Sequence, residues 1–308
     1  MTRVEYDTPN LARRLKIVLI ESMRSWINHR GDSKGAALAF YTLFSMTPIL
    51  MLAIVVAGSV FGAEAAQGEI VAQVQGLVGT NGAKAIQALL AAAQDPASGQ
   101  VATLVAIVLL LVGATSVFAE LKDSLDELWG IAKPSQSAFS VILRTRLLSF
   151  GMVLALAFLL LVSLIVSATL AMFERYAGGV LGSFDAVIAI VTSLISFGVI
   201  ACMFAIIYKT LPDAPLAWRD VWIGAAFTAG LFSLGKYVIG LYLGNSGVAS
   251  SFGAAGSLIA LILWVYYSAQ IFFLGAEFTR HYALWFGSLQ NERLHSKEMN
   301  RLTEQEKR

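Results

Sequence analysis

Cysteine is almost absent from this chain. A single one, Cys202, stands in 308 residues, inside an apolar run. That excludes a disulfide framework and a cysteine-built metal site. Charge is scarce as well, at 14% Asp, Glu, Lys and Arg, where a soluble domain carries about 25%. Only three histidines occur, His29, His281 and His295. All lie outside the apolar segments and share no motif, and no clustered His and Asp ligands of a metal-dependent enzyme accompany them. No catalytic motif is found, so a non-catalytic protein without cofactor or metal is expected. The opening MTRVEYDTPN holds no short apolar stretch and no cleavage site, so no removable signal peptide is expected.

What fills the chain instead is hydrophobic sequence, 57% of it. The expected fold is all-α, a polytopic bundle of six membrane helices, because a segment of about 20 apolar residues crosses a bilayer core of roughly 30 Å. The spans fall near 36–61, 100–118, 147–173, 185–208, 220–243 and 256–279. They form a domain over 35–280, preceded by an N-terminal arm (1–34) and followed by a charged tail (281–308) expected to be a partly disordered helix. In the arm, Leu11, Leu15, Val18, Leu19, Ser22 and Trp26 share one helical face, with Arg13, Arg14, Lys16 and Arg24 mostly elsewhere. This basic amphipathic helix suits either an anionic membrane surface or packing on its own protein. Residues 64–99 carry acids, Gln and turn signals at Gly79-Thr80-Asn81-Gly82 and Asp95-Pro96, and read as an outer hairpin of two short helices. After the second span, Phe118, Leu121, Leu125 and Leu128 form an apolar stripe opposite Glu120, Asp123, Asp126 and Glu127. A solvated acidic face explains those acids better than a metal cluster.

Basic residues set the orientation. Nineteen Lys and Arg flank one side of this topology, and only Lys84 and Arg175 lie on the other. Cytoplasmic loops carry the excess, so both termini are expected in the cytoplasm.

Polar residues inside the spans are the site candidates, since they are costly there. Pro48 removes a backbone donor from the first span, and Tyr41 and Ser45 share its face. In the fifth span Ala226, Ala229, Ser233, Lys236, Gly240 and Gly244 lie within about 80° of one another. Small residues admit a neighbouring backbone, so Lys236 is placed on a packing face or cavity wall. Two readings stand for it: a snorkelling or structural lysine, or a charge facing substrate. Trp264 and Tyr267 lie near its depth and could supply cation–π contact. Glu277 lies about 20 Å away in depth, taking 1.5 Å per residue. It is assigned structural pairing with Arg280 or with Arg144 and Arg146, and it shares a face with Gln270 and Tyr266. The linker between the last two spans, NSGVASSFGAAGS, reads as a flexible or re-entrant turn.

Several stretches closely resemble the YihY/BrkB membrane proteins of bacteria: GAALAFYTLFSMTPIL (35–50), ELKDSLDELWGI (120–131), YKTLPDAPLAWRDVWIGA (208–225), LGKYVIGLYLG (234–244) and SSFGAAGSLIALILWVYYSAQIFFLGAEFT (250–279). The resemblance covers roughly 20–285. It implies a multi-pass inner-membrane protein with six helices, whose relatives are linked to serum resistance or envelope lipid handling. It also carries an older ribonuclease label, which the histidine pattern contradicts. Two functions compete. One is a transporter or translocator of lipid or another envelope component, in which an anionic headgroup would suit Lys236 with Arg144 and Arg146. The other is an envelope scaffold. Membrane lipids are the expected partners and nucleic acid is not; a homo-oligomer is left open.

Overall fold

The computed structural model describes residues 10–93, 116–131, 185–245 and 255–291. The helices are α1 (Leu11–Asn28), α2 (Gly31–Phe61), α3 (Ala63–Ala93), α4 (116–128), α5 (Asp185–Thr210), α6 (Trp218–Asn245) and α7 (Gly256–Phe286). No strand occurs among the described residues. Helix α7 is the centre: α1, α2, α3 and α6 all pack on it, and α5 packs on α6. Three of the described helices are long and apolar enough to cross a membrane, over Ser193–Thr210, Trp218–Tyr242 and Gly256–Phe286. The expected spans 100–118 and 147–173 fall almost wholly outside the described residues.

The α6–α7 contact is built from a short repeat. The sequence GAAFT at 224–228 recurs as GAEFT at 275–279, on two helices that run antiparallel. Thr279 fills the space a side chain on Gly224 would take, and Thr228 with Tyr208 fills that on Gly275. Each threonine hydroxyl donates to the carbonyl of the glycine four residues before it, Thr228 to Gly224 and Thr279 to Gly275. Phe227 and Phe278 stack with ring centroids 3.9 Å apart. The motif thus docks on itself about a local two-fold, with glycine letting the backbones approach and threonine satisfying its own hydroxyl inside its helix. Tyr208 of α5 completes the layer by donating to the Phe272 carbonyl at 2.8 Å. Tyr208→Phe is expected to cost about 0.5–1.5 kcal/mol, read as a lowered midpoint in detergent unfolding.

Several expectations change here. The turn expected at 79–82 is absent. α3 runs unbroken from Ala63 to Ala93, because packing of Val71, Ala85, Ile86 and Leu90 against Ile54 of α2 and Leu261 of α7 outweighs the weak helix propensity of Gly79, Thr80, Asn81 and Gly82. α7 continues past residue 279 to Phe286, since its last turns pack on α1. α2 passes through Pro48 as one helix. α1 divides the face read from sequence: Val18 and Ser22 are buried, while Leu11, Leu15 and Leu19 stay exposed.

The acidic segment clamps onto the bundle by its apolar stripe, with Phe118, Leu121, Leu125 and Leu128 buried. Lys122 bridges Asp126 and Asp213, both at 2.8 Å. Burial alone would lower the Lys122 pKa, but the two carboxylates outweigh it and hold it above its ordinary 10.5. A cation whose pKa rises on folding stabilises fully below its unfolded pKa and loses that contribution as pH climbs through the folded value. Wild type is therefore expected to lose stability above pH 10.5 more steeply than Lys122→Met, as measured by thermal unfolding across alkaline pH.

Candidate functional site

The polar residues that meet are not the set expected from sequence. Lys236 has its Nζ over the ring of its own neighbour Tyr237, 5.7 Å from the centroid. Trp264 instead meets Phe232 edge-on at 6.0 Å, and Tyr267 lies against Gly235. The reason is the rotation of α6. Its buried face carries Val221, Ala225, Thr228, Gly235 and Ile239, whereas Ala226 and Gly240 are exposed and Ser233 and Lys236 half-buried. A side chain on Gly240 would meet nothing. In α2, Ser45 donates to the Thr42 carbonyl at 3.2 Å and Tyr41 sits edge-on to Phe40; the side chain of Pro48 lies outside the described residues. Gln270 donates to the Asp32 carbonyl at 3.4 Å and fills the space beside Gly35. Arg144 and Arg146 lie outside the described residues.

The cluster that does form centres on Glu277. Its side chain is wholly buried, and its Oε1 lies 2.6 Å from His29 Nδ1. Its Oε2 has no hydrogen-bond partner among the described residues and lies 3.9 Å from His281 Nε2. That nitrogen is hydrogen-bonded to Ser25 Oγ at 2.9 Å. On its other side, His281 Nδ1 is 3.6 Å from Glu21 Oε2, which also accepts from Trp285 Nε1 at 2.7 Å. A line of acid and imidazole thus runs from Glu21 through His281 and Glu277 to His29. In its middle Glu277 is wholly buried and His281 largely so, while the side chains at its ends are 41% and 31% exposed. Arg280, the partner expected for Glu277, donates instead to the Leu128 carbonyl. The geometry explains this: Arg280 turns toward α4, while Glu277 faces the elbow between α1 and α2.

That elbow is set by Arg30, whose φ of 53° puts a non-glycine residue in the left-handed region. It turns the chain between α1 and α2 and leaves His29 directed at α7. Beside it is an open cleft of about 280 Å³ lined by Asn28, His29, Arg30, Ser33, Lys34 and Glu127. Lys34 pairs with Glu127 at 2.8 Å, and Arg30 reaches Ser33 at 3.2 Å. The buried acid is thus linked through His29 to an open cleft lined by Arg30, Lys34 and Glu127. Among the described residues no group of three or more His, Cys, Asp or Glu is arranged to hold a metal ion.

Sequence reading treated the histidines as scattered because 248 residues separate His29 from Glu277. A local signal was present all the same: Glu277 and His281 stand one turn apart, the acid inside the last apolar segment and the imidazole just past its end. His295 lies outside the described residues.

Long apolar helices packed around a central helix that carries a buried acid make this a helical membrane protein. The chain belongs to the BrkB family: the family model described as Virulence factor BrkB matches residues 22–299. It is similar to a UPF0761 membrane protein of Verminephrobacter eiseniae, 29% identical over 82% of this chain and 59% of the relative. It is also similar to UPF0761 membrane proteins of Acinetobacter baylyi, at 24% identity over 83% of this chain and 59% of the relative, and of Chromohalobacter salexigens, at 26% over 90% and 66%. The chain spans about three-fifths of the length of these relatives. No solved structure matches it.

Proposed function

We propose that this protein is a proton-linked translocator of an anionic lipid or similar envelope component, with Glu277 as the carboxylate that carries the proton. The observation behind this reading is the wholly buried Glu277 on an apolar, span-length helix, 2.6 Å from an imidazole that reaches water. A wholly buried ionisable group on an apolar helix is costly, and proton relays are a recurrent reason for keeping one. Imidazole and carboxylate at this separation can share and exchange a proton. Arg30 in the adjoining cleft, beside the Lys34–Glu127 pair, gives a phosphate headgroup a counter-charge. In this proposal the protein has six spans in a bacterial inner membrane, both termini are cytoplasmic, and no bond of the substrate is broken.

Fluorescent phosphatidylglycerol in sealed proteoliposomes tests it. With translocation, label from the inner leaflet becomes reducible by external dithionite. Protection equal to that in protein-free vesicles overturns the proposal.

A second reading is a scaffold, favoured by the way the His29–Glu277 and Glu21–Trp285 contacts fasten α1 to α7. It expects removal of Glu277 to release α1 and lower stability without any lipid movement to lose.

A further inference from the structure

Helix α1 has three faces rather than two. At about 100° per residue, Arg14, Val18, Ser22 and Ser25 fall on the side turned to α7, where Val18 and Ser22 are buried. Leu15, Leu19, Met23, Ile27 and Ile20 fall together on a second side, and every one of them is exposed. Arg13 and Arg24 border that apolar strip and Lys16 lies within it, all three exposed. An apolar strip of this length left uncovered on a folded protein marks an interaction surface.

The placement of α1 indicates what covers it. Arg14 lies over the ring of Phe286, and His29 meets Glu277. Between them Glu21 meets Trp285 and Ser25 meets His281, in step with His29 and Glu277, so α1 packs antiparallel beside the last turns of α7. The N-terminus of α6 is at the same level, because Asp220 accepts from the backbone N–H and hydroxyl of Ser288 just beyond α7. There Trp218 and Trp222 are both about half exposed, as aromatic side chains are at a membrane boundary. The strip, its cations and the exposed tryptophans occupy one end of the span-length helices.

We infer that α1 is an interfacial anchor, with Leu15, Leu19, Met23 and Ile27 sunk at the headgroup boundary of an anionic leaflet and Arg13, Lys16 and Arg24 held by its phosphates. This rests on the protein being in a membrane but not on any translocation. Full-length protein with Cys202→Ser and single cysteines along α1 carries the test, each labelled with an environment-sensitive fluorophore in phosphatidylglycerol/phosphatidylcholine vesicles. The expected result is blue-shifted emission and quenching by spin-labelled lipid at 15, 19, 23 and 27, with both lost at 13, 24 and 28. Removing phosphatidylglycerol, or reversing charge in R13E/K16E/R24E, is expected to weaken the quenching. Water-like emission at every position overturns the inference. So does blue-shifted emission that spin-labelled lipid does not quench, which would mean that protein covers the strip. Quenching indifferent to both lipid charge and the triple reversal overturns the anionic assignment. Unchanged thermal unfolding of each labelled variant establishes that the fold is kept.

Discussion

Glu277→Gln is expected to abolish lipid movement, by about 100-fold, while leaving the folded protein about as stable as wild type. Glutamine has the same shape and can still hydrogen-bond His29, so the contact that holds the α1–α2 elbow against α7 survives in outline. What it cannot do is take up and release a proton. Replacing a buried ionisable group by a neutral isostere also removes a desolvation cost, which sets against the lost charge–imidazole attraction. The two readings of the cluster therefore separate in one variant. Loss of flux with an unchanged unfolding midpoint identifies a proton-carrying acid. Lipid protected in wild type and variant alike identifies a strut, and Glu277→Ala, which removes the contact altogether, then lowers the midpoint. His29→Ala is expected to slow flux as well, because it cuts the buried acid off from the cleft.

The largest effect on stability is expected at the self-docking motif. Gly275→Ala should cost about 1–3 kcal/mol and Gly275→Val more, since overpacking a closed interface forces backbones apart. A methyl on Gly275 runs into the Thr228 hydroxyl and the Tyr208 hydroxyl, and one on Gly224 runs into Thr279. Tight neighbours couple, so the pairing can be read from a double-mutant cycle. Thr228→Ala in the Gly275→Ala background should restore part of the loss, although Thr228→Ala alone is destabilising. Additive costs would mean that these helices do not approach through the two glycines. The measurement is unfolding in detergent, with Gly198→Ala as the control, where a side chain meets nothing.

Long, strongly apolar elements were legible because length and hydropathy are local properties. The ranges 185–208, 220–243 and 256–279 lie inside α5, α6 and α7. What sequence periodicity could not give was which way each helix turns. Small residues at 226, 229, 233, 240 and 244 around Lys236 look like a packing face, yet among those whose burial is described only Ala229 is buried, and the strip α6 buries is turned from the rest. That strip is decided by Gly224 and Thr228 meeting their counterparts on α7. The recurrence of GAAFT and GAEFT was present in the sequence, and it marks the true interface better than the count of small side chains does. The turn read at 79–82 failed for a related reason: glycine and asparagine lower helix propensity by amounts that packing on two neighbouring helices exceeds. The Glu277 cluster was only half legible. His281 is one turn from Glu277, but His29 arrives from the other end of the chain, through an elbow that depends on a left-handed Arg30.

The most direct measurement is the rate of phosphatidylglycerol movement in proteoliposomes as the pH gradient across them is varied. With Glu277 carrying the proton, the rate rises with the gradient, falls when a protonophore collapses it, and shows neither response in Glu277→Gln. A rate indifferent to the gradient, or equal to that of protein-free vesicles, contradicts proton-linked translocation.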